Sequence, residues 1–409
     1  MRRSLPAVGR VLGYWRAERR TIFQGWIACT ISSVGDLTAG LTLGAITHTL
    51  QLLPGLIVLV PAAIGMRGNI FGALGSRLGT AMHSGTFETT WRRNGILYQN
   101  AYAVAILSVA VSVLLGVLAR TIAVAFGVHT ISVADFIAIS IVAALISSVV
   151  LGAFTIAVAV VGNRRGWDLD SVSAPLVTAA GDIVTLPALF VGTLIVHIAW
   201  VTPAVSIVAA VVAVAIVVRG FLTNLPLVRR AVRESIPILA LAGAIDIVAG
   251  LVIDKRLDKF VTFPALLVLI PPFLEDVGAL GGILSSRLAS KLHLGAIEPR
   301  RFPDAPALLD FSLIFLLGVS VFTLVGVSAD LVGRVFGLAT PGALRVVGVS
   351  LLGGFMATCA AVLLAYYSAA ATYRLGLDPD NHGIPIITSS MDLIGAVAIV
   401  LALLVFGLG

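Results

Sequence analysis

Eleven apolar runs separated by short polar stretches divide the chain, at 23–49, 53–81, 97–126, 131–161, 172–199, 202–220, 235–253, 262–290, 307–336, 343–372 and 383–408. Crossing the hydrocarbon core of a bilayer as a helix takes about 20 residues. Nearly every run reaches that length, and several exceed it, which predicts tilted or kinked helices. The pattern therefore predicts an all-α integral membrane fold of eleven crossings.

The polar positions inside these runs recur at a fixed offset of 210 residues. Asp36–Glu88 aligns with Asp246–Glu298 without a gap, and 18 of 53 positions are identical. The matched pairs include Asp36/Asp246, Pro61/Pro271, Gly68/Gly278, Gly72/Gly282, Arg77/Arg287, His83/His293 and Glu88/Glu298. Far downstream the same offset pairs Asp168, Asp170, Pro175, Thr178 and Asp182 with Asp378, Asp380, Pro385, Thr388 and Asp392. Apolar low complexity produces stray Leu and Val matches, not paired Asp, Arg, His and Pro. Each copy holds five runs. Five is odd, so copies joined directly would be inverted. The unmatched run at 202–220 restores the orientation and predicts parallel copies about a pseudo-two-fold axis along the membrane normal. The organisation read from this is a five-helix repeat over 1–200, a linking helix over 201–220 and a second repeat over 221–409.

Composition supports a membrane setting. The chain is 59% hydrophobic and 11% charged, against about a quarter charged in a soluble domain. The net charge of +7 is scattered between apolar runs, so it reads as a topology signal rather than a nucleic-acid surface. With the N-terminus inside, 18 of the 27 basic residues fall in cytoplasmic segments, which predicts N-in and C-out in a plasma membrane. The loop Asp254–Lys259 runs against that bias. Cys29 and Cys359 do not occupy matched positions, and a disulfide is not expected.

Ionisable groups at membrane depth are costly, so each is a candidate site. Asp182 and Asp392 lie within the fifth run of each copy. Pro175, Thr178 and Asp182 are spaced i, i+3, i+7 on one helix face, as are Pro385, Thr388 and Asp392. Facing each other across the axis, the two carboxylates would make an oxygen-only site of the kind that holds a largely hydrated Mg2+. The bland alternative has each Asp bonded to a neighbouring backbone. Asp36 and Asp246, in the first runs, suit a second ion site or a helix–helix anchor equally well. In the second runs the two prolines and clustered glycines predict a broken or kinked helix with exposed carbonyls. There the copies diverge. Glu275 and Asp276 stand in one and Gly65 and Met66 in the other, with Arg67 following. That pattern reads either as an asymmetric cation site or as an ion pair between repeats. Arg77 and Arg287 read as snorkelling anchors, His83 and His293 as polar interface residues, and Asp168, Asp170, Asp378 and Asp380 as helix caps. Asp135, Asp310 and Asp330 are placed near run ends, in reach of solvent.

The run PAAIGMRGNIFG (61–72) and the paired spacings Asp168–Pro175–Asp182 and Asp378–Pro385–Asp392 resemble the membrane domain of the MgtE-type magnesium channels and their eukaryotic solute-carrier relatives. The resemblance covers roughly 35–200 and 245–408. It implies a divalent-cation channel or transporter, with Asp182 and Asp392 at the positions of the family's pore aspartate. Pro61, Gly68 and Asn69 stand in its Pro and Gly-Asn turn, whereas the second copy has Pro271 with Gly278 and Ala279. It also implies Mg2+ as the transported ion, no organic cofactor and no enzymatic activity. Divalent cations and membrane lipids are the expected partners. The chain itself is expected to act as a monomeric pseudo-dimer, with sensing left to a separate regulatory subunit. A Na+- or H+-coupled secondary transporter of another solute fits the repeats and carboxylates too. An intramembrane enzyme does not, because the sequence has no adjacent His pair with Glu and no Gly-x-Ser-x-Gly.

Overall fold

The computed structural model describes residues 7–165, 169–196, 198, 200–375 and 384–408. In chain order its helices are α1 (Ala7–Ala17), α2 (Arg19–Ala45), α3 (Thr47–Leu52), α4 (Leu59–His83), α5 (Ile96–Ala125), α6 (Val133–Arg165) and α7 (Leu169–Thr193). After these come α8 (Val201–Leu222), α9 (Pro226–Asp254), α10 (Leu257–Thr262), α11 (Ala265–His293), α12 (Ala305–Val335), α13 (Ala343–Leu375) and α14 (Ile384–Val405). Eleven of them are long and apolar enough to cross a membrane, all except α1, α3 and α10. No strand occurs among the described residues.

The duplication is visible in the backbone. The short helices α3 and α10 have the same length and differ by the 210-residue offset. Helices α4 and α11 both end on a glycine at φ 68°, Gly85 and Gly295, and α5 and α12 both end on one at φ 71°, Gly127 and Gly337. Only glycine takes this left-handed conformation without a Cβ penalty. The closing hydrogen bonds match as well: Thr86 N to Ala81 O with Ala296 N to Lys291 O, and Val128 N to Ala123 O with Leu338 N to Gly333 O.

The chain breaks at the first proline of each second run, Pro54 and Pro264, and not at the second. Pro271 and Pro272 lie inside α11, which continues through them, and Pro61 falls in the first turn of α4, where a missing N–H is harmless. The interruption comes earlier, at α3 and the Pro54–Gly55 turn and again at α10, where the first crossing of each repeat hands over to the second.

The repeats are interlocked. Helix α2 packs on α7 of its own repeat and, closely, on α11 of the other. Helix α9 packs on α14 of its own repeat and on α4 and α5 of the other. Two matched glycines permit this. A Cβ on Gly40 would stand 2.2 Å from the Val268 carbonyl oxygen, and one on Gly250 would stand 2.5 Å from that of Val58. Helix α8 lies outside, against α5 and α6, with Ile207, Val208, Val211 and Val214 exposed on its outer face as a lipid-facing crossing would have them.

At the end where α11 terminates, a polar knot binds α1 to the second repeat. Asp310, fully buried, accepts from Tyr14 Oη at 2.5 Å and pairs with Arg287 at 2.9 Å and Lys291 at 2.6 Å. Arg287 also reaches Glu18 at 3.2 Å. Arg287 is therefore an ion-pair centre rather than a snorkelling anchor, and Asp310 is not solvated. Asp330 is also buried, held by Arg334 at 2.7 Å and by the Thr340 hydroxyl at 2.6 Å. Burial pushes the Glu18 carboxyl up, but the Thr21 hydroxyl and the Arg287 charge outweigh it and hold it below the usual carboxylate range. A lowered carboxyl adds stability above the ordinary carboxylate value, about 4.3, and loses it as pH falls through its own value. Asp310→Ala would strand two cations, a change that costs about 3 kcal/mol when a buried pair is broken. The expected result is a clear drop in the thermal midpoint of detergent-purified protein. An unchanged midpoint would show that the knot contributes nothing.

Candidate cation pathway

The buried carboxyls gather between the interlocked repeats. Helix α2 carries Asp36 against α7, which carries Asp182, and the two carboxyls lie within hydrogen-bonding reach of each other. Both side chains are buried, and the Oδ2 atom of each has no partner. The matched pair, Asp246 on α9 and Asp392 on α14, are electrostatic neighbours without a hydrogen bond between them, and Asp392 also lies within the fields of Glu275 and Asp182. Asp246 is fully buried near the Ser389 hydroxyl, yet neither of its oxygens has a well-formed hydrogen bond. So the nearest carboxyl to Asp182 is Asp36, not Asp392. Each aspartate of the fifth crossing is matched with one of the first crossing, and the two pairs flank the axis.

Between them, α4 and α11 face each other across a small cavity. It is lined by Val60, Pro61, Ile64 and Gly65 on α4, by Ile270, Pro271, Leu274 and Glu275 on α11, and by Asp392, with a volume of about 30 Å3. That is room for one or two waters. Glu275 and Asp392 are only half-buried because they border this space. Further along the same helices a Cβ on Gly68, Gly72, Gly278 or Gly282 would meet nothing within 4 Å. Four glycines matched in pairs thus have open space beside them toward the ends of α4 and α11.

The remaining polar groups are placed differently in the two repeats. Asp276 is fully buried and accepts from Ser33 Oγ at 2.9 Å, with the Cys29 thiol beside it and its Oδ1 unpartnered. Arg67 is buried but makes no ion pair among the described residues. Its guanidinium donates to Ser112 Oγ at 3.0 Å and Ser148 Oγ at 3.1 Å, on α5 and α6. The ion pair between repeats therefore does not form. Arg77 is half-buried, and its Nε and Nη2 have no partner among the described residues. The repeat positions of Lys291 and Asp310 are occupied there by Ala81 and Asn100. Asn69 Nδ2 is likewise buried without a partner.

Thr178 and Thr388 sit one turn before the two aspartates and are half-buried, as is Pro385. The Thr388 hydroxyl donates to the Pro385 carbonyl at 3.1 Å. Asp168, Asp378 and Asp380, and the side chains of Asp170, Pro175 and His83, lie outside the described residues. His293 bonds the Ala289 carbonyl and packs edge-on against Tyr373, as a polar interface residue does. No three His, Cys, Asp or Glu side chains among the described residues converge tightly enough to enclose a bare ion. Sequence reading passed over Ser33 and Cys29, although both lie on α2 one to two turns before Asp36. It also passed over Ser389, three residues before Asp392, and the role of Gly65, whose missing side chain makes room for Asp246.

The profile of the MgtE family, described as divalent cation transporter, matches residues 60–192 and again 270–402. The two matches differ by the offset that relates the repeats. This chain belongs to the MgtE family. MgtE-type relatives extend along nearly the whole of it. Solute carrier family 41 member 3 of Rattus norvegicus is 26% identical over 94% of this chain and 87% of its own length. Solute carrier family 41 member 2 of Homo sapiens is 25% identical over 91% of the chain and 68% of its own length. No solved structure matches the chain. As an MgtE-type protein with eleven membrane-length helices, it is a multi-pass membrane protein of a divalent cation transporter family, not a family of enzymes.

Proposed function

We propose that this protein moves Mg2+ across the plasma membrane through an acidic pathway between its two repeats. The observation that carries this reading is the set of six acids, Asp36, Asp182, Asp246, Glu275, Asp276 and Asp392, buried or half-buried between the repeats, with Glu275 and Asp392 bordering the axial cavity and several carboxyl oxygens unpartnered. A carboxyl left unpartnered in a low-dielectric interior is expensive unless a cation completes it. The donors are all hard oxygens, spaced too widely to enclose a bare ion, and Mg2+ keeps several of its waters when one or two carboxylates bind it. Thr178 and Thr388 add hydroxyl oxygens one turn away. The basic-residue bias favours N-in and C-out, and in that orientation the glycine-lined ends of α4 and α11 face the cytoplasm. In this reading the chain works as a monomeric pseudo-dimer among membrane lipids, with regulation supplied by a separate subunit.

The test is Mg2+ uptake into proteoliposomes with a trapped fluorescent indicator. Uptake down a Mg2+ gradient, with no gradient of Na+ or H+, is the expected result. No flux of any divalent cation under any gradient would overturn the proposal. Flux that requires a Na+ or H+ gradient would favour coupled transport instead.

A further inference from the structure

We infer that the two halves of the pathway are not equivalent, and that the divalent cation is held in one of them only, at Asp36, Asp182 and Glu275, between α2, α7 and α11. This rests on the transport reading above and specifies its binding site.

The pseudo-two-fold axis relates two corners of the molecule. One is built by α2, α7 and α11, the other by α9, α14 and α4. Each has its pair of aspartates. Several positions around those pairs differ. At the position where α11 carries Glu275, α4 carries Gly65. A Cβ there would already lie 2.9 Å from Asp246 Oδ2 and 3.8 Å from Asp392 Oδ2. A third carboxylate in the second corner would have to push the Asp246 side chain aside, whereas the first corner already holds one. At the next position Asp276 is bonded to Ser33 in the first corner. The matched residues in the second corner are Met66 and Gly243, neither of them able to donate or accept as Asp276 and Ser33 do; a Cβ on Gly243 would stand 3.9 Å from Met66 Sδ. Cys29, beside Asp276, is matched by Leu239.

The charges follow the same division. The first corner holds Asp36, Asp182, Glu275 and Asp276 with no base. The second holds Asp246 and Asp392, with Arg67 two residues from Gly65 along α4 and drawn behind it toward α5 and α6. Four acids without a base attract a divalent cation far more strongly than two acids beside one base. The Oδ2 atoms of Asp36 and Asp182 are buried and unpartnered, as are both oxygens of Asp246; what sets the first corner apart is Glu275, whose charge acts on Asp36 and Asp182 and, beside the axial cavity it borders, on Asp392. Glu275 is thus the group that hands the ion between pathway and site. Asp276, already bonded to Ser33, stands behind as a supporting charge.

Mn2+ is the probe, since it shares the octahedral oxygen preference of Mg2+ and reports binding by its paramagnetic resonance. Purified full-length protein is expected to bind one Mn2+ per chain in this region. Asp182→Asn and Glu275→Gln should each weaken it at least tenfold, and Asp392→Asn several-fold less. Glu275→Gln keeps the side-chain volume at a half-exposed position. With gel filtration and circular dichroism confirming the fold, its loss of Mn2+ cannot be ascribed to misfolding. Equal weakening by Asp182→Asn and Asp392→Asn, two equivalent Mn2+ per chain, or no Mn2+ bound would overturn the inference. Because the readout is binding, an absence of flux in wild type would overturn the transport proposal separately.

Discussion

The variant carrying Asp182→Asn and Asp392→Asn together is expected to lose at least about 100-fold in Mg2+ flux, while its fold and monodispersity are kept. Asn preserves the size and one oxygen of each side chain but removes the charge. Two unit charges 4 Å apart interact by about 4 kcal/mol at an effective dielectric of 20, and a divalent ion doubles that. Retained waters and the remaining acids offset part of the loss. A residue of about 2.7 kcal/mol is enough for the 100-fold effect. Uptake with the trapped indicator decides it. A double variant that conducts like wild type would move the path away from the fifth crossings altogether.

A second large effect is expected from Gly40→Val and Gly250→Val. The Cβ alone would sit 2.2 Å from the Val268 carbonyl oxygen in one case and 2.5 Å from that of Val58 in the other. Both obstacles are backbone, so no side chain can rotate away and the helices must separate. Overpacking of this kind costs roughly 1–3 kcal/mol or more, and α2 and α9 are the elements that knit the repeats together. Each variant is expected to unfold at a markedly lower temperature than wild type, with the pair worse than either alone. Gly72→Ala is the control, since its Cβ meets nothing within 4 Å and it removes a flexible residue from a helix interior. If Gly40→Val melted like Gly72→Ala, the close crossing of α2 over α11 would be wrong.

The architecture was largely legible because membrane-length apolar runs and a gapless duplication are one-dimensional signals. The eleven crossings, the unmatched helix and the matched capping glycines all follow from them. What periodicity could not show was which helix packs on which. Nothing local says that α2 crosses onto α11, so the pairing of Asp182 with Asp36 rather than Asp392 was hidden. Arg67 looked like a counter-charge because its sequence neighbours Ile64 and Gly65 line the axial cavity. Helix geometry turns its side chain the other way, to Ser112 and Ser148. The knot around Asp310 left a trace that a comparison of the copies would have found. Lys291 and Asp310 occur together in one repeat, while Ala81 and Asn100 stand together in the other.

The interlocked first crossings also set a schedule for biosynthesis. Helix α2 begins at Arg19 and its partner α11 at Ala265, an interval of 265 − 19 = 246 residues. At about 5–20 residues per second a ribosome takes roughly 12 to 50 s to cover it. Throughout that interval Ser33 and Asp36 are in the bilayer without Asp276 and Glu275. The first repeat cannot reach its final packing on its own, and the carboxyls of Asp36 and Glu275 come together only after the second repeat has been inserted.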